Sequence, residues 1–376
     1  MVFRETWARV RRCSPASGVM ACLLVACVQI PVPVPGPSSA PRPEAPVGQG
    51  SVDAHSGVAD PSSTGPRPPE PTPRSASWVE RLAGGRIRTP DLPAVLQAPA
   101  GLWLADGEAW LADAGGHAVW SLGDDLLRRR IGWGARGWSG DGGAGPDGQL
   151  WTPFAGCVWG DRQVIADYGN GRLRTLDRAG VLGTLPWPAG LPMLQGPAGL
   201  AVDASGGLLV ADFLGHRLFR LDAAGGGEVL AGTGQSGPAE SGIVARGTPL
   251  DRPLSLLMRA DGHLVVGEGG SGRILSLTPG GRWTVLAEAV PEPSALLGDG
   301  AGGMLVASGE THRILHLSAG GVRQMLAGTG ESGTSGDDGP PAKARFIRPA
   351  GLIAWQGGLL VADLGTPRLR WIVPAP

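Results

Sequence analysis

The fold is decided by residues 197–232. They read Pro197-Ala198-Gly199-Leu200-Ala201-Val202, then Leu208-Leu209-Val210-Ala211-Asp212, then Phe213-Leu214-Gly215-His216-Arg217-Leu218-Phe219-Arg220-Leu221, and finally Glu228-Val229-Leu230-Ala231-Gly232. These are four short β-rich runs divided by Gly-bearing turns, with no apolar period of a helix. The pattern predicts strands at Gly199–Val202, Leu208–Ala211, Arg217–Leu221 and Glu228–Ala231. Outward from here the unit recurs. Pro-Ala-Gly-Leu stands again at Pro99–Leu102 and Pro349–Leu352, with degenerate copies from Pro153, Pro253 and Pro293. The second run ends in a small residue and then, usually, an acid: Asp113, Asp167, Asp212, Glu268, Ser308 and Asp363, separated by 54, 45, 56, 40 and 55 residues. Five residues further on stand Arg172, Arg217, Arg273, Arg313 and Arg368, with Ala118 in the first copy. Repeats of this length mark propellers or solenoids, and four antiparallel strands per repeat mark a propeller blade.

The runs resemble the NHL repeat family, whose pattern is a Pro-x-Gly-Leu strand, a Val-Ala-Asp strand, a His-Arg-Ile strand and a Leu-Ala-Gly strand. The segment Gly336-Asp337-Asp338-Gly339-Pro340-Pro341-Ala342 is similar to that family's linker. The resemblance covers essentially all of residues 78–376 and implies an all-β, six-bladed β-propeller of four-stranded antiparallel blades. The last copy stops after its third strand, near Arg368–Val373, and Trp78–Gly85 carries Leu82-Ala83-Gly84, the same ending as Leu326-Ala327-Gly328. An N-terminal strand at Trp78–Gly85 is therefore expected to complete the last blade and remove two free sheet edges.

Composition excludes some functions. The chain of 376 residues carries 32 Lys+Arg against 33 Asp+Glu with no block of one sign, which argues against a nucleic-acid-binding surface. Residues 1–26 read as a lipoprotein signal peptide: Arg4, Arg9, Arg11 and Arg12 precede a short apolar run ending Leu24-Val25-Ala26-Cys27, which resembles the bacterial lipobox with Cys27 as the lipidated residue. Residues 27–77 read as a disordered Pro-rich tether, since positions 28–74 hold 13 of the 35 prolines and almost no large apolar residue. The expected protein is exported and lipid-anchored, with a lean to the bacterial outer membrane, and touches the membrane through its anchor alone. Once Cys13 and Cys22 leave with the signal and Cys27 is acylated, Cys157 remains alone in an apolar run. It reads as a core residue rather than half of a disulfide.

Antiparallel order sends the turns between second and third strands and the blade-to-blade linkers to one end of the ring. Three linkers are long, Gly132–Leu150, Gly232–Leu250 and Gly328–Phe346, and they alternate with short ones. His117, His216 and His312 occupy the turns of the long-linker copies only, so the blades form three pairs. These histidines are the weak candidates for a metal site; the expected reading is structural, with no metal or other cofactor. Asp113, Asp167, Asp212 and Asp363 are expected to accept turn hydrogen bonds or to pair with the repeat arginines. In related amidating-lyase propellers the metal-binding His follows the repeat's Pro, a position held here by Ala100, Phe154, Ala198, Leu254, Ser294 and Ala350. The first long linker stands out. It has Trp133 and Trp138 where the fifth copy's linker has Thr329 and Thr334, with Arg136 between them and Asp141 following. Exposed Trp and Arg suit recognition. The expected function is thus an envelope-anchored, monomeric, non-catalytic binding or scaffold propeller whose partner is an envelope protein, peptide or glycan. The alternative is a channel-centred propeller enzyme of the lyase or lactone hydrolase type.

Overall fold

A computed structural model describes residues 76–90, 92, 95–123 and 126–375. The chain divides into two units, 1–71 and 72–376, and every described residue lies in the second. The expected signal peptide, Cys27 and nearly all of the tether fall outside the described residues. Among the described residues no helix is long and apolar enough to cross a membrane.

The second unit is a six-bladed β-propeller. Twenty-four strands form six four-stranded antiparallel sheets. The third blade shows the plan: Pro197–Val202 pairs with Leu208–Asp212, that strand with Arg217–Leu221, and Arg217–Leu221 with Gly227–Ala231. Apolar side chains alternate to both faces of each sheet, and six clusters fill the spaces between neighbouring blades, the sixth joining the last blade to the first. The core is thus a ring of blade interfaces rather than one centre.

The recurrent Pro-Ala-Gly-Leu motif has a steric cause at its third position. The first strands crowd around the axis, and each third residue points at the backbone of the next blade. A Cβ at Gly101 would lie 2.4 Å from Phe154 O, and one at Gly351 would lie 2.3 Å from Ala100 O. No Cβ fits at those two positions, and the other blades keep the residue small, with Ala155, Gly199, Ser255 and Ala295. The glycine after the fourth strand, in Ile131-Gly132 and in both Leu-Ala-Gly endings, is equally forced: Gly132, Gly232 and Gly328 have φ of 82, 89 and 95°, and a Cβ at Gly132 would lie 2.3 Å from His117 O.

Ring closure by an N-terminal strand is present, but that strand is not where the sequence put it. Residues Ala76–Ala83 form a helix, α1, and strand β1 is Arg86–Arg88, paired with the third strand of the last blade, Arg368–Val373. Trp78, Val79 and Leu82 lie at helical spacing on one side of α1, and all three are buried against the fifth and sixth blades. Leu82-Ala83-Gly84 shares its residues with the strand ending Leu326-Ala327-Gly328, yet here Leu82 and Ala83 close a helix whose apolar residues are three and four apart. In β1 only Ile87 is apolar, yet it is fully buried. The third long linker clasps this strand, with Ile87 N–H donating to Gly339 O at 3.1 Å and Asp338 N–H donating to Ile87 O at 2.7 Å.

Candidate functional site

The end of the ring that carries the long linkers is built around the acids that close the second strands. Each holds the residues entering the first strand of its own blade. Ala98 N–H donates to Asp113 at 2.7 Å, Trp151 N–H to Asp167 at 2.7 Å, Gly196 N–H to Asp212 at 2.7 Å, Asp251 N–H to Glu268 at 2.7 Å and Ile347 N–H to Asp363 at 2.9 Å. All five acids are fully buried. Burial outweighs these bonds and pushes Asp113 and Asp212 above the usual carboxylate range, Asp363 up to about 6 and Asp167 up to about 7. The fifth blade reverses the bond. There the entering residue is Pro291, which has no N–H, and Ser308 donates its hydroxyl to Pro291 O at 2.7 Å.

The repeat arginines act mainly on the linkers rather than on these acids. Arg217 donates to Thr233 O and Arg313 to Thr329 O, both at 2.9 Å. Arg273 bonds Glu268 at 2.7 Å and also Ala239 O at 2.8 Å, the one repeat arginine that hydrogen-bonds its own terminal acid. Arg368 lies exposed within electrostatic range of Asp363. Arg172 lies over the ring of Trp138, 4.7 Å from its centroid.

His117, His216 and His312 all have left-handed backbones, with φ of 50, 50 and 56°, a conformation in which His is enriched among non-glycine residues. His117 Nδ1 accepts Thr152 N–H and His216 Nδ1 accepts Arg252 N–H, each at 3.2 Å, so each ties its turn to the next blade. Burial pulls both His117 and His312 below the ordinary imidazole range, helped by the charges of Arg136 and Arg348 respectively. Among the described residues no three His, Cys, Asp or Glu come together as a metal site. Cys157 is half-buried between the second and third blades, and desolvation pushes its thiol up to about 12, far from a nucleophile.

The first strands of all six blades surround a cavity of about 90 Å³. Its wall is Gly, Ala, Leu, Phe and Ser, with no ionisable side chain. Both serine hydroxyls are engaged, Ser255 with Pro293 O at 2.6 Å and Ser294 with Glu292 O at 3.1 Å. At the linker end of this bore Glu292 and Arg348 form an ion pair at 2.5 Å, mostly out of solvent.

The first long linker is fastened to the second blade. Asn170, the only Asn in the chain, donates to Gly137 O at 2.6 Å, and Gly137 N–H donates to Leu150 O at 3.1 Å. This holds the flanking residues Arg136 and Trp138 in place. Trp133 is 53% exposed and Trp138 61%. Arg136 lies 5.8 Å from the ring centroid of Trp151. Asp141 faces inward as well as outward, since one of its oxygens takes Arg174 Nη2 at 2.6 Å. Arg174 is wholly buried, within 3.9 Å of Asp167, and also donates to Gln149 O at 2.7 Å. Arg370 and Asp337 repeat this arrangement in the sixth blade at 2.6 Å. The sequence reading missed both buried arginines, the Asn170 fastening and the Glu292–Arg348 pair. A signal for the arginines was present: Arg174 and Arg370 stand in the column that holds Trp120, Phe219, Leu275 and Leu315 in the other blades.

No protein-family model and no curated protein matches the sequence. Solved structures similar to it include a gluconolactonase from Xanthomonas campestris, at 17% identity and a TM-score of 0.57, over 83% of this chain and 97% of that one. A streptogramin B lyase is similar at 14% identity and a TM-score of 0.51, over 76% of this chain and 96% of its own. An auxiliary nutrient-binding protein from Bacteroides thetaiotaomicron follows at 14% identity and 0.53, over 73% and 69%. At these identities the likeness is one of fold.

Proposed function

We propose that this chain is an exported, lipid-anchored, non-catalytic binding propeller. It recognises a protein, peptide or glycan of the cell envelope through its long-linker face, with Trp133, Arg136 and Trp138 as the contact sector and Asp141 at its edge. One contrast carries the reading: the bore has no ionisable side chain on its wall, whereas two tryptophans stand more than half exposed on a fastened linker. Apolar faces of that size left open on a surface are what recognition uses, with truncation of such an anchor costing about 2 kcal/mol or more of binding.

The competing reading is a channel-centred lyase or lactone hydrolase. It is favoured by the fold likeness to a lyase and a gluconolactonase, but fold alone does not carry function. Such chemistry needs acids, amides or imidazoles converging on the bore, and the residues after the first-strand prolines, Ala100, Phe154, Ala198, Leu254, Ser294 and Ala350, offer one hydroxyl and no metal ligand. The test is a screen of envelope peptides and glycans against the wild type and a Trp133→Ala, Trp138→Ala variant of equal stability, with metal analysis of the same preparations. A ligand lost only by the variant supports the proposal. Stoichiometric zinc or calcium, or a ligand held equally by both proteins, sinks it. Anchoring is tested separately: Cys27→Ser should abolish lipid labelling and move the protein out of the detergent phase.

A further inference from the structure

We infer that the Trp133–Trp138 sector takes an acidic polysaccharide, with carboxylates on Arg136 and Arg172 and sugar rings on the two tryptophans. This rests on the linker-face reading and names the ligand class for the same site.

The first observation is an unsatisfied cation. In three other blades the repeat arginine reaches a carbonyl or carboxylate: Arg217 to Thr233 O, Arg273 to Glu268 and Arg313 to Thr329 O. Arg172 has no hydrogen-bond acceptor among the described residues. Its Nε is buried without a partner, and its guanidinium carbon lies over the Trp138 ring, 4.7 Å from the centroid. The acid within its electrostatic range is Asp167, which is fully buried and already takes Trp151 N–H and Asn170 Nδ2. A partly desolvated guanidinium with free donors is a ready carboxylate receptor, because charge-assisted forked bonds are about twice as strong as neutral ones.

The second observation is that its neighbour is in the same condition. Arg136 stacks near Trp151, and its side chain likewise has no acceptor among the described residues. The linker's own acids do not neutralise the pair. Asp141 is bound to Arg174, and Asp147, exposed on the short 3-10 turn Gly145–Asp147, forms no ion pair with either arginine. The sector is therefore locally cationic on a nearly neutral chain.

The third observation separates a glycan from an acidic peptide. Peptides dock by adding to a free strand edge or by placing side chains in pockets. Here both backbone groups of Gly137, between Arg136 and Trp138, are spent on Asn170 and Leu150, and both tryptophans are more than half exposed rather than at the base of a pocket. An indole face carries negative quadrupole charge, which attracts the weakly positive C–H face of a pyranose; on Trp138 that contact takes the face opposite the one under Arg172. Rings that each bear a carboxylate would set apolar faces on Trp133 and Trp138 and anions on the arginines. The rigid linker lowers the ordering penalty of that contact.

Titration of the full-length protein with oligogalacturonate tests this, with a neutral galactan oligomer and a poly-glutamate peptide of matched length as comparators. Two double variants are compared with the wild type at matched melting temperature: Arg136→Gln with Arg172→Gln, and Trp133→Ala with Trp138→Ala. The expected result is binding of oligogalacturonate alone, weakened by added salt, and at least about tenfold weaker in each double variant. If poly-glutamate binds instead, or if the neutral oligomer binds and the glutamine variant is unaffected, the acidic-glycan assignment is overturned. The linker-face reading survives that outcome provided the alanine variant still loses binding. Oligogalacturonate held equally by the alanine variant overturns both. No binding of any probe by the wild type overturns the ligand class, and the envelope screen then decides the linker face on its own.

Discussion

The reversed bond in the fifth blade allows a prediction about residues far apart in sequence. In five blades a carboxylate at the end of the second strand accepts the N–H of the residue entering the first strand. In the fifth blade that residue is Pro291, and Ser308 donates instead. The identity of residue 308 should therefore depend on residue 291. Ser308→Asp alone places a carboxylate at a fully buried position against the Pro291 carbonyl, beside the nearly buried Glu292. An unpaired buried charge destabilises by about 3–5 kcal/mol, and a proton taken up in its place reduces this to about 3 kcal/mol. Pro291→Ala alone releases entropy in the unfolded chain worth about 1 kcal/mol and leaves the new N–H without an acceptor. Combined, the two changes recreate the bond of the other blades, a hydrogen bond to a charged group worth roughly 1.5–3 kcal/mol.

The double variant should then lie only about 2 kcal/mol below wild type rather than about 4, a coupling of about 2 kcal/mol. Urea unfolding of the four proteins at pH 8 measures it, followed by tryptophan fluorescence and circular dichroism, whose transitions must coincide for the energies to be comparable. Additivity within about 0.5 kcal/mol would refute the reasoning, because it would mean that serine stands at 308 for a reason unrelated to the proline.

Three further outcomes are expected. Asp167 and Asp363 have folded pKa values of about 7 and about 6, raised from 3.8, so the stability they contribute is fully present below about pH 4 and is lost as pH rises through 6 to 7. Wild type minus Asp167→Asn should show that fall between about pH 4 and pH 7 and level off above, by at most about 1.4 kcal/mol per pH unit, whereas a difference that grows with pH means the amide bonds outweigh burial. Arg174→Ala should lower stability by about 3–5 kcal/mol in the same urea assay, since it strands buried Asp167 and the carbonyl of Gln149, and a loss under about 1 kcal/mol would show that water replaces the guanidinium. A chain beginning at Ser75 should melt like the full chain, while one beginning at Pro90 loses α1 and β1, with the complete burial of Leu82 and Ile87 worth roughly 1.5–3 kcal/mol each; equal melting would overturn their role in closing the ring.

The architecture was legible because a propeller repeats its steric demands. Six blades impose six small residues at the crowded axis and six turns, and those recur in sequence whatever fills the rest. Closure was legible as a missing strand, but its place was not, because Arg86-Ile87-Arg88 carries a single apolar residue and gains its strand character from the edge it covers. The acids could be seen in the sequence while their partners could not: the donors are backbone amides about 16 residues upstream, which leave no mark in side-chain identity except at Pro291. The buried arginines were hidden by charge itself. Arg-Leu-Arg at 172–174 reads as solvated, yet in the blade-by-blade column Arg174 and Arg370 replace apolar residues, and each is matched by an acid, Asp141 or Asp337, where the second long linker has Ser241.

That match bears on why the site belongs to one sector only. The first and third long linkers share a frame: Arg174 with Asp141 and Arg370 with Asp337, both at 2.6 Å, and Gly140 and Gly336 at φ of 102 and 98°. The frame is built equally well with Thr329 and Thr334 as with Trp133 and Trp138, so folding does not require the tryptophans. Each leaves more than half of its surface in water, where an apolar face lowers solubility and adds little to stability. The cation follows the same division, for Arg172 lies against Trp138 while its counterpart Arg368 projects into solvent opposite a threonine linker. Two sectors with one backbone solution and different exposed chemistry separate the scaffold from what was placed on it. The side chains that the scaffold does not need are the ones to test for a ligand.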